Sequence, residues 1–434
     1  MRLRFKIAFN TLIQILGKII SASCTFLVTV LVARRFGITG FGEFVKITTY
    51  VSLFYLIVDF GLNAVVLREI ESAKRKAQNY FINLLSLRVV YALILIFLAL
   101  AVLAFLPFNP LTLEGFTPLS KLGIIILAPT ILFQAIFVSA NAVFQKNLRY
   151  DLSVLASSLG SFGTLGLIIL LLKSNAPLLL VVTSYLVGGL IMAGLALVLA
   201  NFQFVFAYGE KLLPNSIFNS QSIFNFQFSI WKKLFFRSLP LGLTLIFNLI
   251  YFKADALILS VFRPTSEVGI YGLAKSFFEF PLAVPTFFMN AVYPILLGNT
   301  QHATRNTLIK KSAIFLIISS LLLSAICYLL SPYLVLIKSD FADSVLIFRI
   351  LSAYLPIFFL SSLFMWTLIA LGKQKLLVLI YGKVMIINLL LNLFLIPRFG
   401  YLAATIILGM SELMVLGLTG GFCLEFLRKE ENES

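Results

Sequence analysis

"YFKADALILSVF", residues 251–262, sets a lysine and an aspartate inside an otherwise apolar run. Whether that run crosses a bilayer decides the fold, because a charge at the centre of a membrane costs roughly 2.5–3.5 kcal/mol even on lenient insertion scales. The rest of the chain points to a membrane. Its 434 residues are 60% hydrophobic, and mean hydropathy is +1.04. Charged residues make up only 12%, about half the share usual in soluble domains. Apolar runs long enough for a core of about 30 Å, roughly 20 residues each, number twelve: 9–33, 42–66, 81–106, 121–144, 152–172, 177–206, 236–262, 269–297, 312–337, 343–371, 376–396 and 401–426. The expected fold is an all-α polytopic membrane protein of twelve transmembrane helices.

The net charge of +17 raises the question of nucleic acid, but a nucleic-acid binder displays its basic residues on a solvated face. Here they lie mainly between apolar runs, and membrane topology accounts for them. With the N-terminus inside, the inner segments hold Arg2, Arg4, Lys6, Arg68, Lys74, Arg75, Lys76, Lys146, Arg149, Lys211, Lys232, Lys233, Arg237, Arg305, Lys310, Lys311, Lys373, Lys375, Arg428 and Lys429. The outer segments hold only Arg34, Arg35, Lys121, Lys173, Arg263, Lys338 and Arg398. This bias places both termini in the cytoplasm. The basic start resembles a signal peptide, but Gln14 and Lys18 interrupt its apolar stretch, so an uncleaved first helix is expected. Cys24, Cys327 and Cys423 stand far apart inside apolar runs, with neither disulfide nor metal-ligand spacing.

The longest connection divides the spans six and six. The expected domains are a six-helix lobe over 1–206, a cytoplasmic linker over 207–235 and a second six-helix lobe over 236–434. "FSIWKKLFFR" in the linker suits a helix lying in the interface with Trp231 at headgroup depth, and a plain linker fits equally. The halves look related: "FGITGFGEF" (36–44) and "FRPTSEVGIYGLAKSF" (262–277) each follow the first span of a half, with Gly42 matching Gly269. An even number of spans per half makes the repeat parallel, about an axis along the membrane normal.

Within the spans lie Lys18, Lys46, Arg88, Lys253, Lys275, Arg349 and Lys383, against Asp59, Asp255, Glu279 and Glu412. Lys46, Asp59 and Arg349 sit near span ends and suit snorkelling to the interface. Lys18, Glu279 and Glu412 sit near mid-span, where ionisable groups face a bundle interior or a wet cavity. Gln14, Lys18, Ser21 and Thr25 fall on one face of the first span, and Thr244, Asn248, Tyr251 and Asp255 repeat that spacing on the seventh. Lys275, Glu279, Thr286 and Asn290 follow one side of the eighth, where Lys275 and Glu279 are close enough to pair and Pro281, Pro285 and Pro294 can bend the helix. Such stripes line a central cavity or a polar seam between helices. Lys253 and Asp255 point about 200° apart on a helix and do not form one local pair. No paired carboxylates, phosphate-binding glycine loop or metal cluster marks an enzyme; the sole histidine, His302, falls in a loop.

"ARRFGITGFGEF", "DFGLNAVVLREI", "SLPLGLTLIFNLIYFKADALILSVF", "EVGIYGLAKSFFEFPLAVPTFFMNAVYPIL" and "NLLLNLFLIPRFGYLAATI" together resemble the polysaccharide-type flippases, O-antigen repeat-unit flippases in particular, of the multidrug/oligosaccharidyl-lipid/polysaccharide exporter superfamily. The resemblance covers nearly the whole chain in the family's order, through loose and mostly apolar patterns. It implies two six-helix lobes around a cavity that opens alternately to each side of the bacterial cytoplasmic membrane. It also implies the cargo, an undecaprenyl-diphosphate-linked oligosaccharide moved to the outer leaflet for surface polysaccharide such as lipopolysaccharide. Family members often carry a basic residue two before the aspartate of the seventh helix, as Lys253 and Asp255 do here. The extra helix pair of fourteen-helix members is absent, which sets the chain apart from the lipid II flippase branch.

On this reading Lys18, Arg88, Lys253 and Lys275 bind the diphosphate. Asp255, Glu279, Glu412, Gln14 and Asn248 line the cavity or carry a coupling proton or sodium ion, with no other cofactor. Partners are the lipid-linked glycan, membrane lipids and other polysaccharide-assembly proteins, with no nucleic acid. The rivals are a drug/cation antiporter of the same superfamily, a membrane-embedded glycan polymerase or transferase, and a scaffold for the glycan machinery.

Overall fold

The computed structural model describes residues 2–72, 77–208, 227–298 and 302–432. Helices dominate, as a bilayer requires: in hydrocarbon each backbone N–H and C=O must find its partner inside the segment. In order they are α1 (Arg2–Asp59), α2 (Leu62–Ser72), α3 (Ala77–Phe105), α4 (Pro118–Leu127), α5 (Thr130–Lys146), α6 (Tyr150–Lys173), α7 (Leu178–Tyr208), α8 (Phe228–Phe262), α9 (Thr265–Glu279), α10 (Ala283–Gly298), α11 (His302–Leu330), α12 (Ala342–Ala353), α13 (Leu355–Ala370) and α14 (Gln374–Asn432). A two-stranded hairpin, β1 (Phe108–Asn109) and β2 (Glu114–Gly115), joins α3 to α4. Eight helical stretches among the described residues are long and apolar enough to cross a membrane. Large apolar side chains stand exposed along them, including Phe97, Ile318, Leu322 and Phe394, a surface suited to lipid.

The breaks differ from the sequence expectation. A short outer turn was expected after residue 33; instead α1 runs on and kinks at Gly37, whose φ of 67° suits glycine. The last two expected spans likewise join in α14, which breaks at Gly400 with φ 58°. Conversely, 121–144, 269–297 and 343–371 are each interrupted, at Ala128–Pro129, at 280–282 around Pro281, and at Tyr354 ahead of Pro356. A proline ring removes a backbone donor and crowds the preceding turn. The break at Pro281 is the bend expected there, while Pro285 and Pro294 stay inside α10.

The shift that carries residue 42 onto 269 carries helices α3, α5 and α6 onto α11, α13 and the first part of α14, within a few residues at each end. It also carries Pro129 onto Pro356. The repeat read from two short segments therefore extends through the element order of both halves.

The chain forms two compact units. Unit 1 comprises Met1–Leu31, Lys46–Pro107 and Phe116–Leu249; unit 2 comprises Val32–Val45, Phe108–Gly115 and Ile250–Ser434. In unit 1, Phe60, Val66, Phe81, Leu84, Phe144 and Phe204 form a buried core against which Trp231 and Phe235 of α8 pack. The basic stretch at 228–237 is thus the start of α8 and not a separate interfacial helix; residues 209–226 of the linker lie outside the described residues. In unit 2, Tyr251, Ile380, Val384 and Val415 form one buried cluster. Its glycines permit one close crossing: a Cβ on Gly42 would run into the Thr265 carbonyl, and one on Gly269 into the Ile38 carbonyl.

Candidate functional site

In unit 2, α8 and α9 run side by side with two ion pairs between them. Asp255 lies on α8 with its side chain 2% exposed, and the Lys275 ammonium of α9 sits 2.6 and 2.7 Å from its two oxygens. Lys275 also donates to the Phe252 carbonyl at 2.9 Å, and the Tyr271 hydroxyl donates to Asp255 at 2.5 Å. The second pair joins Lys253 to Glu279 at 3.3 Å, with side chains 30% and 41% exposed. One pair is closed and the other open. This corrects the expectation that Lys275 pairs with Glu279 along one helix: Lys275 faces α8, and Glu279 is the last residue of α9 before the break at Pro281. The separation of Lys253 from Asp255 is as helix geometry requires, and Lys253 finds its partner on another helix. Asp255, expected to face a cavity, is instead enclosed. The break also divides the expected stripe, leaving Thr286 and Asn290 on α10.

A third carboxylate of unit 2 stands apart. Glu412 on α14 is 4% exposed and accepts hydrogen bonds from the Tyr251 hydroxyl of α8, at 2.5 Å, and from the Ser361 hydroxyl of α13. No basic side chain pairs with it among the described residues. Nearby on α14, the Asn388 amide donates to Ser411 at 2.9 Å and Asn392 donates to Asn388 at 2.8 Å.

In unit 1, Arg88 on α3 is fully buried. It donates to Asn63 at 2.7 Å, and at 3.1 and 3.2 Å to the carbonyl and carboxylate of Asp59. Those acceptors flank the turn at Phe60 and Gly61, both at positive φ, so Arg88 ties down the break between α1 and α2. Lys18 is exposed and Gln14 half-buried on α1. The side chains of Asn248 and Thr244 lie outside the described residues. Lys46, expected to snorkel, is fully buried. Arg349 stacks over Tyr328, 4.8 Å from its ring centre, and bonds Ser331 at 2.8 Å.

The family description "Polysaccharide biosynthesis protein" matches residues 7–300. The chain belongs to this family. No curated protein sequence matches it. Among solved structures, it is similar to the lipid II flippase MurJ in an inward closed conformation, at TM-score 0.72 and 15% identity, covering 93% of this chain and 86% of that one. It is similar to an inward-facing multidrug resistance MATE family transporter, at TM-score 0.74 and 11% identity, covering 95% and 96%. It is also similar to a MOP superfamily transporter from Pyrococcus furiosus, at TM-score 0.59 and 13% identity, covering 98% and 95%. This family member therefore has the fold of the MOP transporters, and its relatives are transport proteins rather than enzymes.

Sequence reasoning missed one cluster of this family member. Glu69, the Lys233 ammonium and the Arg237 guanidinium meet in unit 1, tying α8 to α2, and the Tyr80 hydroxyl adds a 3.4 Å bond to Glu69. The hydrogen bond to Glu69 holds the Lys233 ammonium above its ordinary range. The basic run "WKK" followed by Arg237 was the available signal, and it was read as a headgroup anchor. Tyr271 was missed too, although it precedes Lys275 by one helical turn.

Proposed function

We propose that this chain is a flippase that moves an undecaprenyl-diphosphate-linked oligosaccharide from the inner to the outer leaflet of the bacterial cytoplasmic membrane, by alternating access, for surface polysaccharide of the O-antigen type. The observation that carries the proposal is the open Lys253–Glu279 pair beside the closed Asp255–Lys275 pair. An ion pair facing lipid is costly, so partial exposure within a membrane helix suits a wet cavity. Glu279 is a ligand that an incoming diphosphate can replace. Lys18, exposed on a polar face of α1, is the second cation offered to the anion. Arg88 and Lys275 are engaged inside the protein and act by holding helices in place.

The proposed architecture is twelve membrane helices in two six-helix lobes, 1–206 and 236–434, with both termini cytoplasmic. It is supported by the repeat in element order and by the kinks at Gly37 and Gly400, each dividing a helix too long for a single crossing. Glu412, held by two hydroxyls and by no basic side chain among the described residues, is the group proposed to take a coupling proton or sodium ion.

That same carboxylate favours a second reading, a drug/cation antiporter, which the MATE likeness also fits. Complementation separates the two. In cells lacking their own flippase, Lys18→Ala and Lys253→Ala should abolish surface glycan at unchanged protein abundance and leave drug tolerance unaltered. Wild-type glycan in both variants refutes the flippase assignment; lowered drug tolerance in their place supports the antiporter.

A further inference from the structure

Unit 1 contains an open cleft with a cavity volume of about 170 Å³, walled by α1, α5, α6 and α7. Among the described residues its lining has no Asp, Glu, Lys, Arg or His, yet it is rich in hydroxyls. Most of their protons are already engaged. Thr25 donates to Ser21 O at 2.9 Å, Thr130 to Leu127 O at 2.5 Å, Ser157 to Val154 O at 3.1 Å and Thr164 to Gly160 O at 3.1 Å. With Thr130 donating onward, the Tyr55 hydroxyl donates to it at 2.6 Å. What these groups still offer is oxygen lone pairs. Gln134 and Ser161, also in the lining, make no hydrogen bond among the described residues, so they contribute both donors and acceptors.

The fold alone does not create this cleft. The shift relating the two halves carries Cys24, Ser157 and Gly188 of its lining onto Tyr251, Val384 and Val415, which in unit 2 form a packed apolar cluster. It carries Gln134 and Tyr185 onto Ser361 and Glu412, the bonded pair described above. At the first three positions small side chains keep unit 1 open where large ones pack unit 2 shut, and at the other two the chemistry changes, an amide and a phenol standing where unit 2 has a hydroxyl and a carboxylate.

An acceptor-rich, uncharged cleft repels a diphosphate and offers a cation no counter-charge. An acyl chain would strip its hydroxyls of water with no return. A saccharide matches it, since each sugar hydroxyl supplies a donor to an oxygen that has already given away its own proton, and the flat faces of Tyr55 and Tyr185 suit the apolar face of a ring. We propose that this cleft is a subsite for an uncharged sugar of the lipid-linked glycan, a reading that rests on the flippase function and places the sugar apart from the diphosphate.

The test uses full-length protein in nanodiscs and three probes: a prenyl diphosphate, the same lipid carrying a neutral disaccharide, and the same lipid carrying a disaccharide with a hexuronic acid. Gln134→Leu removes the free amide, and Ser157→Val installs the side chain of the second half. The neutral disaccharide probe should bind wild type more tightly than the bare lipid or the uronic acid probe. Each variant should weaken it about tenfold, the effect of losing one good hydrogen bond, while bare lipid binding stays unchanged and so reports an intact fold. Variants that bind the disaccharide probe as wild type does, or that weaken both probes alike, overturn the subsite, as does a sugar that adds nothing to wild-type affinity. Failure of wild type to bind any of the three probes overturns the flippase reading and the subsite with it.

Discussion

Replacing Lys275 by methionine should damage the fold, whereas the same change at Lys253 should damage function alone. Lys275→Met leaves Asp255 in a site where its side chain is 2% exposed, without the ammonium that bonds both of its oxygens. Removing one partner of a buried pair costs about 3–5 kcal/mol. Tyr271 and the Ala256 N–H still donate to the carboxylate, so the low end, about 3 kcal/mol, applies. For a unit of some 200 residues that is a fall of roughly 6–12 °C in Tm. Adding Asp255→Asn should restore more than half of it, because the uncompensated charge is then gone. Lys253→Met breaks a half-open pair worth about 0–1 kcal/mol and should move Tm by no more than roughly 4 °C, while surface glycan is lost. Thermal melts of purified protein in nanodiscs read both. A Lys275→Met melt within about 2 °C of wild type, or a double variant no more stable than the single, refutes the assignment of that pair as structural.

Three further outcomes are expected. Glu69→Gln should cost about 2–3 kcal/mol by weakening charge-assisted bonds from Lys233 and Arg237, read as a lower Tm. Because Lys233 titrates above its ordinary value of 10.5 and Glu69 below its ordinary 4.5, the wild-type clamp is complete between those two values, is lost on the alkaline side only as pH rises past the raised value of Lys233, and is lost on the acid side as pH falls through the lowered value of Glu69. Gly269→Ala should cost about 1–3 kcal/mol by pressing on the Ile38 carbonyl. Gly417→Ala, on an exposed helix surface with open space around it, should be neutral or stabilising by about 0.5–1 kcal/mol, and equal melts for the two alanines would refute the crossing. Glu412→Gln should keep its fold and bonding partners but make transport in proteoliposomes indifferent to proton and sodium gradients; unchanged gradient dependence removes its proposed coupling role.

The membrane class, the helices and the separation of Lys253 from Asp255 were legible in the sequence, because apolar run length and the 100° step of a helix are local properties. The matching of Gly42 with Gly269 was legible too, since a close backbone crossing tolerates no side chain. What the sequence did not disclose is tertiary. The spacing of Lys275 and Glu279 suggested a pair within one helix, but an ammonium with a buried carboxylate opposite gains more from crossing to the neighbouring helix than from a half-exposed neighbour on its own. Asp255 sat in a polar stripe, and a stripe does not distinguish a face turned to water from one turned to a lysine. Continuity through Gly37 and Gly400 was hidden for a related reason: a glycine can end a helix or let it turn without ending, and the surrounding packing decides which.

The repeat explains how one backbone plan can hold two different interiors. A membrane helix satisfies its own backbone, so its middle turns need only be apolar and packable, and side chains there diverge without loss of the element. Positions where backbones touch have no such freedom: Gly42 and Gly269 each face a carbonyl, and both remain glycine. At mid-helix the halves have diverged, one placing Tyr251, Val384 and Val415 where the other keeps Cys24, Ser157 and Gly188. Side-chain volume therefore controls where unit 1 is open, while the crossing glycines hold the backbone. The same substitution should then act differently in the two places: a valine at Ser157 fills space that is empty, and an alanine at Gly269 displaces atoms that have nowhere to go. Loss of sugar affinity without loss of stability in the first, and loss of stability in the second, is the pattern this division of labour requires.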